Sequence, residues 1–596
     1  MRDRSVAKRD RILWLSKVGA ALLPMIIATG PVFGQMMPSK LADELKNADL
    51  SGNLPVIVQY KTMPTDADHE SVRSQGGRLT QRMSHVRSGG YQVPGYAIAG
   101  LATNPNIAHI SIDHSVHAHL DLATSATNAT VAWSTYSAKG NGIGVAVIDS
   151  GIGPNTDLAS SVVYSQDFTG GNGSDAYGHG THVAGIIAGS GTASHCSTCI
   201  RNMQGVAPGA KIVNLRVLDA TGTTTDSMLI SAIDRAIALK STYNIRVINL
   251  SVGRPIFESY NVDPLCQAVE DAWNAGIVVV VAAGNDGRLN NAGNKGYGTI
   301  NAPGNDPKVI TVGAMKTMAT ATRTDDLVAS YSSKGPSIID AVVKPDLVAP
   351  GNLIVSTTPS TAATLKTGSN KVQTKYYDSN GNGNASPYYL TLSGTSMSAA
   401  VVSGAVADLL QVRPTLTPDQ VKLVLMFTSY KTFPSSSTAV DSVTAATYLA
   451  YYDIFTRGAG YLDIGAALAF NYPLVGNALS PLTIAQPSTQ SFGLAVDANS
   501  AWRYYAGLGY SASLMWGTGV SSTGAITTTP TTASTLVSGL STVSGTSSVW
   551  GNSSVWGNSS VWGNSSVWGN SSVWGNSSVW GNSSVWGNSS ALSDKN

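Results

Sequence analysis

The stretch GIVVVVAAGN, Gly276–Asn285, carries four successive valines after an isoleucine and ends in small residues and an asparagine. An apolar run without polar alternation reads as a strand covered on both faces, and such strands belong to parallel sheets. The same signature recurs on either side of it. GVAVIDSG (Gly144–Gly151), KIVNLRVLD (Lys211–Asp219), RVINLSVG (Arg246–Gly253) and VITVGA (Val309–Ala314) are short, rich in Val and Ile, and end in polar or small residues. Between them SMLISAIDRAIALKST (Ser227–Thr242) and PLCQAVEDAWNAG (Pro264–Gly276) read as helices. Strand and helix in alternation argue for an α/β fold, a mostly parallel twisted sheet with helices on both faces. In such sheets the chemistry sits at the carboxyl ends of the strands. Asp149, Ser251 and Asn285 fall there. Further on, PTLTPDQVKLVLMFTS (Pro414–Ser429) opens a helix, with Thr417 as cap, Pro418 in the first position and Gln420 closing a capping box.

The chain is 596 residues long, more than one compact domain usually holds. Charged residues are 12% and the formal net charge is +2, which gives no electrostatic footprint for nucleic acid. The opening MRDRSVAKRDR is basic. ILWLSKVGAALLPMIIATGPVFG follows, and small residues close it near Gly34, so residues 1–34 read as a signal peptide. Lys17 and Pro24 within the apolar stretch suit a cleaved signal better than a permanent span, and no later stretch is apolar for long enough to cross a membrane. A secreted or extracellular protein is expected, with a cell-surface association open.

Residues 35–125 read as a small α+β domain. LPVIVQYK (Leu54–Lys61) and HISIDHSVHAHL (His109–Leu120) are strand-like, and HESVRSQGGRLTQRM (His69–Met83) is a polar helical stretch between them. The α/β region covers residues 126–470. Residues 471–545 are a Ser/Thr-rich linker region, and 546–596 repeat SSVWGN without variation, marked by Trp550, Trp556, Trp562, Trp568, Trp574, Trp580 and Trp586. The repeat suits a chain of tight hairpins, a six-residue solenoid coil, or a flexible spacer. Identical unpaired apolar strands favour association, so tail self-association or surface adhesion stays as an alternative function.

Three cysteines are present. Cys196 and Cys199, in HCSTC, suit a small loop-closing disulfide in an oxidising compartment. A metal site there, with His195 adjacent, is the rival and lacks a second ligand cluster. Cys266 reads as a buried hydrophobe on a helix.

Ser396 lies in LSGTSMSAAVVSGAVADLL (Leu392–Leu410), where a turn enters an apolar helix. A serine hydroxyl is a weak nucleophile that needs a base, an orienting group and oxyanion donors. The helix N-terminus favours an anion, and the Ser396 N–H is a natural oxyanion donor. His179, in YGHGTHVAGIIAG (Tyr177–Gly189), has glycine on both sides and is the candidate base. His182 falls inside the helical pattern and reads as a packed core histidine. Asp149 ends a strand and suits the orienting carboxylate. Asn285 closes another strand and offers a side-chain amide as the second oxyanion donor.

Together VIDSGI (Val147–Ile152), GHGTHVAG (Gly178–Gly185), AAGN (Ala282–Asn285) and GTSMS (Gly394–Ser398) resemble the subtilisin-like serine peptidases, in the family order Asp, His, Ser. QGVAPGAKI, NLSVG, ASYSSKGP, KPDLVAPG and GAGYLDIGAAL agree with the family between and after them. The sedolisin group, which uses a glutamate in place of the histidine, fits poorly because GHGTHVAG is intact. The resemblance implies a subtilisin-like fold and a serine endopeptidase with Asp149, His179 and Ser396 as the triad and Asn285 as oxyanion donor. It implies no cofactor for catalysis and protein or peptide substrates. Ser251, Val252 and Gly253 are implied to pair with the substrate backbone, which gives broad specificity. Ala282, Ala283 and Gly284 would line part of the primary pocket and favour an apolar or aromatic side chain, with Asp286 at its mouth tolerating a basic one. Residues 35–125 would be an inhibitory propeptide, cut off by the enzyme itself between about Leu120 and Trp133.

Two departures stand out. The family has Pro then His where this chain has Ala400 and Val401. The stretch from Gly351 to Leu392 is long and holds DSNGNGN, whose Asp378, Asn380 and Asn382 match the start of a calcium loop without its closing glutamate. A Gly/Asn turn is the preferred reading. Structural calcium is compatible with the family, but no residue is assigned as a metal ligand.

Overall fold

Strand Gly144–Asp149 is buried along its whole length, and so is Val278–Ala282 within the opening stretch. Both lie inside one eight-stranded sheet. The computed structural model describes residues 40–42, 45, 50–113, 115–118, 126–289, 295–318, 320, 323–366, 370–440, 446–486, 491–507, 515–516 and 525–526. Across the sheet the order is Leu327–Val328, Ile310–Lys316, Val278–Ala282, Ile245–Leu250, Gly144–Asp149, Lys211–Arg216, Val162–Asp167, with Leu347–Pro350 also paired to Ile310–Lys316. All pairs are parallel except Leu327–Val328. Strand order reverses at Gly144–Asp149, which sits between Lys211–Arg216 and Ile245–Leu250. A crevice outside the carboxyl ends is expected at such a point.

Helices Asp226–Tyr243 and Pro264–Asn274 pack together on the sheet, and His179–Ala188 packs with Thr395–Val412. The capping box at Thr417 and Gln420 forms as the sequence predicts. The sequence predicts no membrane span after residue 34, yet Thr395–Val412 has the length and hydropathy of one. It is the central helix of the core. Residues Thr395 to Leu410 are all buried, Ala400 and Val401 included, and the helix runs unbroken through both. Its apolar surface therefore serves packing.

Residues 53–112 build a four-stranded antiparallel sheet in the order Arg78–Arg82, Ser88–Pro94, Asn53–Tyr60, Ile107–Ile112, with helices Asp66–Arg73 and Gly95–Ala102. This is a βαββαβ arrangement. The helix expected over residues 69–83 ends at Arg73. Gly76 has φ +88°, and Arg78–Arg82 continues as a strand. The single strand expected over residues 109–120 is two. The chain leaves the small sheet at Asp113, whose carboxylate accepts the Ser227 N–H at 2.6 Å, and Ser115–Ala118 joins a different sheet.

The 471–545 region also differs from a plain linker in its first half. Trp502, Tyr505, Met515 and Trp516 are buried in the main core. Trp502 Nε1 donates to the Leu479 carbonyl at 3.0 Å, and Arg457 Nη2 to that of Trp516 at 3.0 Å. These aromatic residues, not the Ser/Thr content, decide the packing. The signal (1–34) and the repeat tail (546–596) lie outside the described residues.

Candidate active site

Asp149 and His179 are brought together by two elements that approach closely. Gly178, with φ 102°, turns the chain into helix His179–Ala188. A Cβ on Gly180 would lie 2.3 Å from the Gly151 carbonyl and 3.1 Å from Asp149 Cβ, so only glycine allows the contact. His179 Nδ1 then lies 2.7 Å from Asp149 Oδ1, both side chains buried. The carboxylate assigns the proton to Nδ1 and leaves Nε2 as the basic nitrogen. Asp149 Oδ1 also accepts the Ser150 N–H at 2.7 Å, while its Oδ2 is buried with no partner among the described residues.

Asp175 escapes the sequence reading and organises this corner. Its carboxylate accepts from Ser150 Oγ (2.8 Å), Gly178 N–H (2.6 Å), Thr181 N–H (2.9 Å) and Thr181 Oγ1 (2.6 Å). With the Tyr177 N–H as a further donor at 3.1 Å, it meets the Gly178 and Thr181 N–H groups at the start of the histidine helix, while the Gly180 N–H goes to Ser150 Oγ at 2.8 Å. An acidic residue four positions before the histidine was the available signal. Burial raises its carboxyl pKa, against these hydrogen bonds.

Ser396 is the second residue of helix Thr395–Val412, after Gly394 with φ 155°. Its Oγ donates to the Ser251 carbonyl at 3.2 Å. In return Ser251 Oγ donates to the Ser396 carbonyl at 2.8 Å, and Asn249 Nδ2 donates to Ser251 Oγ at 2.9 Å. Ser403 Oγ donates to Asn249 Oδ1 at 3.0 Å. This buried chain ties the strand end to the serine helix. Asn285 Oδ1 accepts the Thr395 N–H at 2.9 Å and faces Thr395 Oγ1 at 3.2 Å. Its oxygen is thus engaged, and Nδ2 is buried without a partner among the described residues. An unpaired amide donor one residue away from a serine N–H is a ready place for an oxyanion. We expect Asn285→Leu to lower kcat by about 100- to 1,000-fold with little change in KM; equal loss in both constants would remove the oxyanion role.

Ala282 and Gly284 are buried at the same strand end, as is Ala283. A Cβ on Gly284 would meet Ser333 Oγ at 2.8 Å. Asp286 follows, and burial pushes its carboxyl up to about 7, which weakens it as an anchor for a basic side chain near neutral pH.

His182 is a packed histidine. Its Nε2 lies 3.3 Å from the carbonyls of both Ile354 and Leu390. Burial, with the neighbouring His179 second, pushes it down to about 3. The unfolded imidazole takes its proton near 6.5, so stability is full above that pH and is lost as pH falls towards 3, by about 5 kcal/mol at the low end. His182→Gln should flatten the fall of the urea midpoint between pH 6.5 and 4. An unchanged slope would assign the acid sensitivity to other groups.

Val252–Gly253 pairs antiparallel with Ser115–Ala118, Val252 opposite Ala118 and Gly253 opposite His117. On its other side Ser115–Ala118 pairs with Thr223–Thr225. Ser251, Val252 and Gly253 are buried. The second edge, Thr223–Thr225, is absent from the sequence reading. Three β-branched residues after Gly222 were its signal.

Cys196 and Cys199 form a disulfide, and Cys266 is buried on helix Pro264–Asn274. In DSNGNGN, Asp378 Oδ1 accepts the Asn380 N–H and Asn382 Oδ1 the Asn384 N–H, each at 2.9 Å. The loop's oxygens turn back on its own backbone, the arrangement of a turn.

Residues 140–451 match the Subtilase family. Serine protease AprX of Bacillus subtilis (strain 168) is 34% identical over 363 residues, 59% of this chain and 76% of that protein. Subtilisin E of the same organism is 28% identical over 423 residues, 70% of this chain and 92% of that protein. Among solved structures, fervidolysin from Fervidobacterium pennivorans, a keratinolytic enzyme related to subtilisin, aligns with a TM-score of 0.52 at 21% identity. That alignment covers 74% of this chain and 65% of the length of fervidolysin, and it supports the subtilisin-like fold.

Proposed function

The chain belongs to the subtilase family and is a subtilisin-like serine endopeptidase; from that premise we propose that it is exported, matures itself, and cleaves extended peptide chains with broad specificity. The observation that carries this reading is the place of Ser115–Ala118. The chain's own segment is the middle strand between Thr223–Thr225 and Val252–Gly253, and Val252–Gly253 directly follows Ser251, whose carbonyl accepts from Ser396 Oγ. A peptide held by main-chain pairing alone is read as an extended strand, with little regard to sequence.

In this reading Ser396 Oγ attacks the scissile carbonyl while His179 Nε2 takes its proton. Asp149 holds the Nδ1–H and stabilises the imidazolium that forms. The oxyanion is met by the Ser396 N–H and Asn285 Nδ2. His179 returns the proton to the leaving amine, and water then releases the acyl group by the same steps in reverse. No cofactor enters these steps.

Residues 35–125 act as the inhibitory propeptide. Their fit to the peptidase supports this. Asp234 accepts the N–H groups of Ser84, His85 and Val86, and His109 Nε2 lies 2.7 Å from the buried Glu258 carboxylate. The cut falls between about Leu120 and Trp133, after Ala118, the last residue paired in the slot. Residues 1–34 direct export.

The test is to follow the intact mass and N-terminal sequence of full-length chain over time, with casein added. Shortening to a new N-terminus in that window, with loss of casein, is expected. Shortening that spares casein favours a second reading, a surface protein whose peptidase mainly matures its own precursor. The invariant SSVWGN repeat is what favours it. Retention on cells or polysaccharide that disappears on deleting residues 546–596 would support it.

A further inference from the structure

Each of the two edges that hold Ser115–Ala118 runs directly into a buried charge. Asp226 follows Thr225, and Arg254 follows Gly253. Arg254 Nε lies 3.0 and 2.9 Å from the two carboxylate oxygens of Asp226. Its Nη2 lies 2.9 Å from each oxygen of Asp263. The three side chains are at most 1% exposed. Asp226 opens helix Asp226–Tyr243. Asp263 caps Pro264–Asn274 through the N–H groups of Leu265 and Cys266. The Arg254 backbone exchanges two hydrogen bonds with Ala302, at 3.0 and 2.8 Å.

A strand can enter between two edges only if they stand two strand spacings apart, roughly 9.5 Å. While a middle strand is present its hydrogen bonds set that gap. Once the slot is empty, the edges do not pair with each other and need another link. The guanidinium of Arg254 is planar, permanently charged and engaged on two sides, so it holds one fixed distance. It joins the residue after one edge to the residue after the other.

We propose that the Arg254–Asp226 pair is a clamp that sets the width of the substrate slot, and that both are positioning residues for extended peptides. The proposal rests on the peptidase reading only for what fills the slot after maturation. A short ester at the scissile position engages the serine, the oxyanion donors and at most the Val252–Gly253 edge. A longer peptide must also pair with Thr223–Thr225. The clamp therefore separates substrates by length.

Arg254→Ala would take the guanidinium from two buried carboxylates and would endanger folding. Asp226→Asn keeps an acceptor for Arg254 Nε and removes the charge. Asp263→Asn is the control, since it takes an equal charge from the same guanidinium without flanking the slot. In full-length chain carrying Ser396→Ala, amide exchange of residues 115–118 should quicken about tenfold or more in Asp226→Asn, relative to strand Gly144–Asp149. It should not quicken in Asp263→Asn, even where the melting temperature falls as far. Equal quickening in both variants, or none in Asp226→Asn, overturns the clamp. In mature enzyme, the ratio of kcat/KM for an extended peptide to that for a short ester should fall about tenfold in Asp226→Asn, through KM. An unchanged ratio overturns it as well. If wild type shows no Ser396-dependent cleavage at all, the peptidase reading fails, and the exchange result still decides the clamp.

Discussion

Ser396→Ala leaves the full-length chain at its synthesised mass and lowers casein cleavage by about 10⁶-fold. In the proposed mechanism the hydroxyl forms the bond to the scissile carbon, and the other members act through it. Losing it therefore removes the acyl-enzyme route as a whole. Residual turnover from oxyanion donors and binding should stay some 10³- to 10⁴-fold above water. The substitution deletes one oxygen, whose recorded hydrogen bond to the Ser251 carbonyl is a long 3.2 Å. The melting temperature should therefore stay within a few degrees of wild type, which separates lost chemistry from lost fold. The measurements are intact mass over time and casein hydrolysis in a host without proteases. If the variant still matures there, self-processing is wrong and another enzyme makes the cut.

Asp149→Asn comes second, with a loss of about 10⁴-fold in kcat and a small change in KM. Asp149 Oδ1 accepts from both His179 Nδ1 and the Ser150 N–H. An asparagine oxygen in the place of Oδ1 can keep both contacts, but it carries no charge to stabilise the imidazolium that forms as Ser396 gives up its proton. Asp149 Oδ2 has no partner among the described residues, so the exchange of one oxygen for an amide nitrogen breaks no recorded contact there. Single-turnover kinetics with an activated ester gives the chemical step directly. A loss below tenfold would mean that the charge of the carboxylate is not needed to stabilise the imidazolium.

The departure at Ala400 and Val401 is harmless on packing grounds. Both side chains are buried in an unbroken helix, several residues beyond the serine. Ala400 is the sixth residue of the helix, past its first turn, where alanine supplies the backbone N–H that proline would lack.

The sequence by itself determined five strands of the sheet and the candidate site residues. Uninterrupted Val and Ile runs are long enough, and bury enough surface, to override local ambiguity. Hence the five strands read from Gly144 to Ala314 recur with ends shifted by a few residues. Asp149, His179, Ser396 and Asn285 were legible because strand ends and helix starts are local features, and each lies at one. Tertiary structure alone decided how distant pieces meet. Thr223–Thr225 becomes a cleft edge only because Ser115–Ala118 lies beside it, more than a hundred residues away in sequence. Asp175 organises the histidine helix through contacts to five separate groups. Arg254 joins two edges and two helix starts. The long apolar helix Thr395–Val412 is a core element only because a sheet covers it. The deciding interactions are hydrogen bonds, ion pairs and apolar packing between elements that the fold brings together. Such contacts leave no period in the sequence, because their geometry is set by the fold that brings them together.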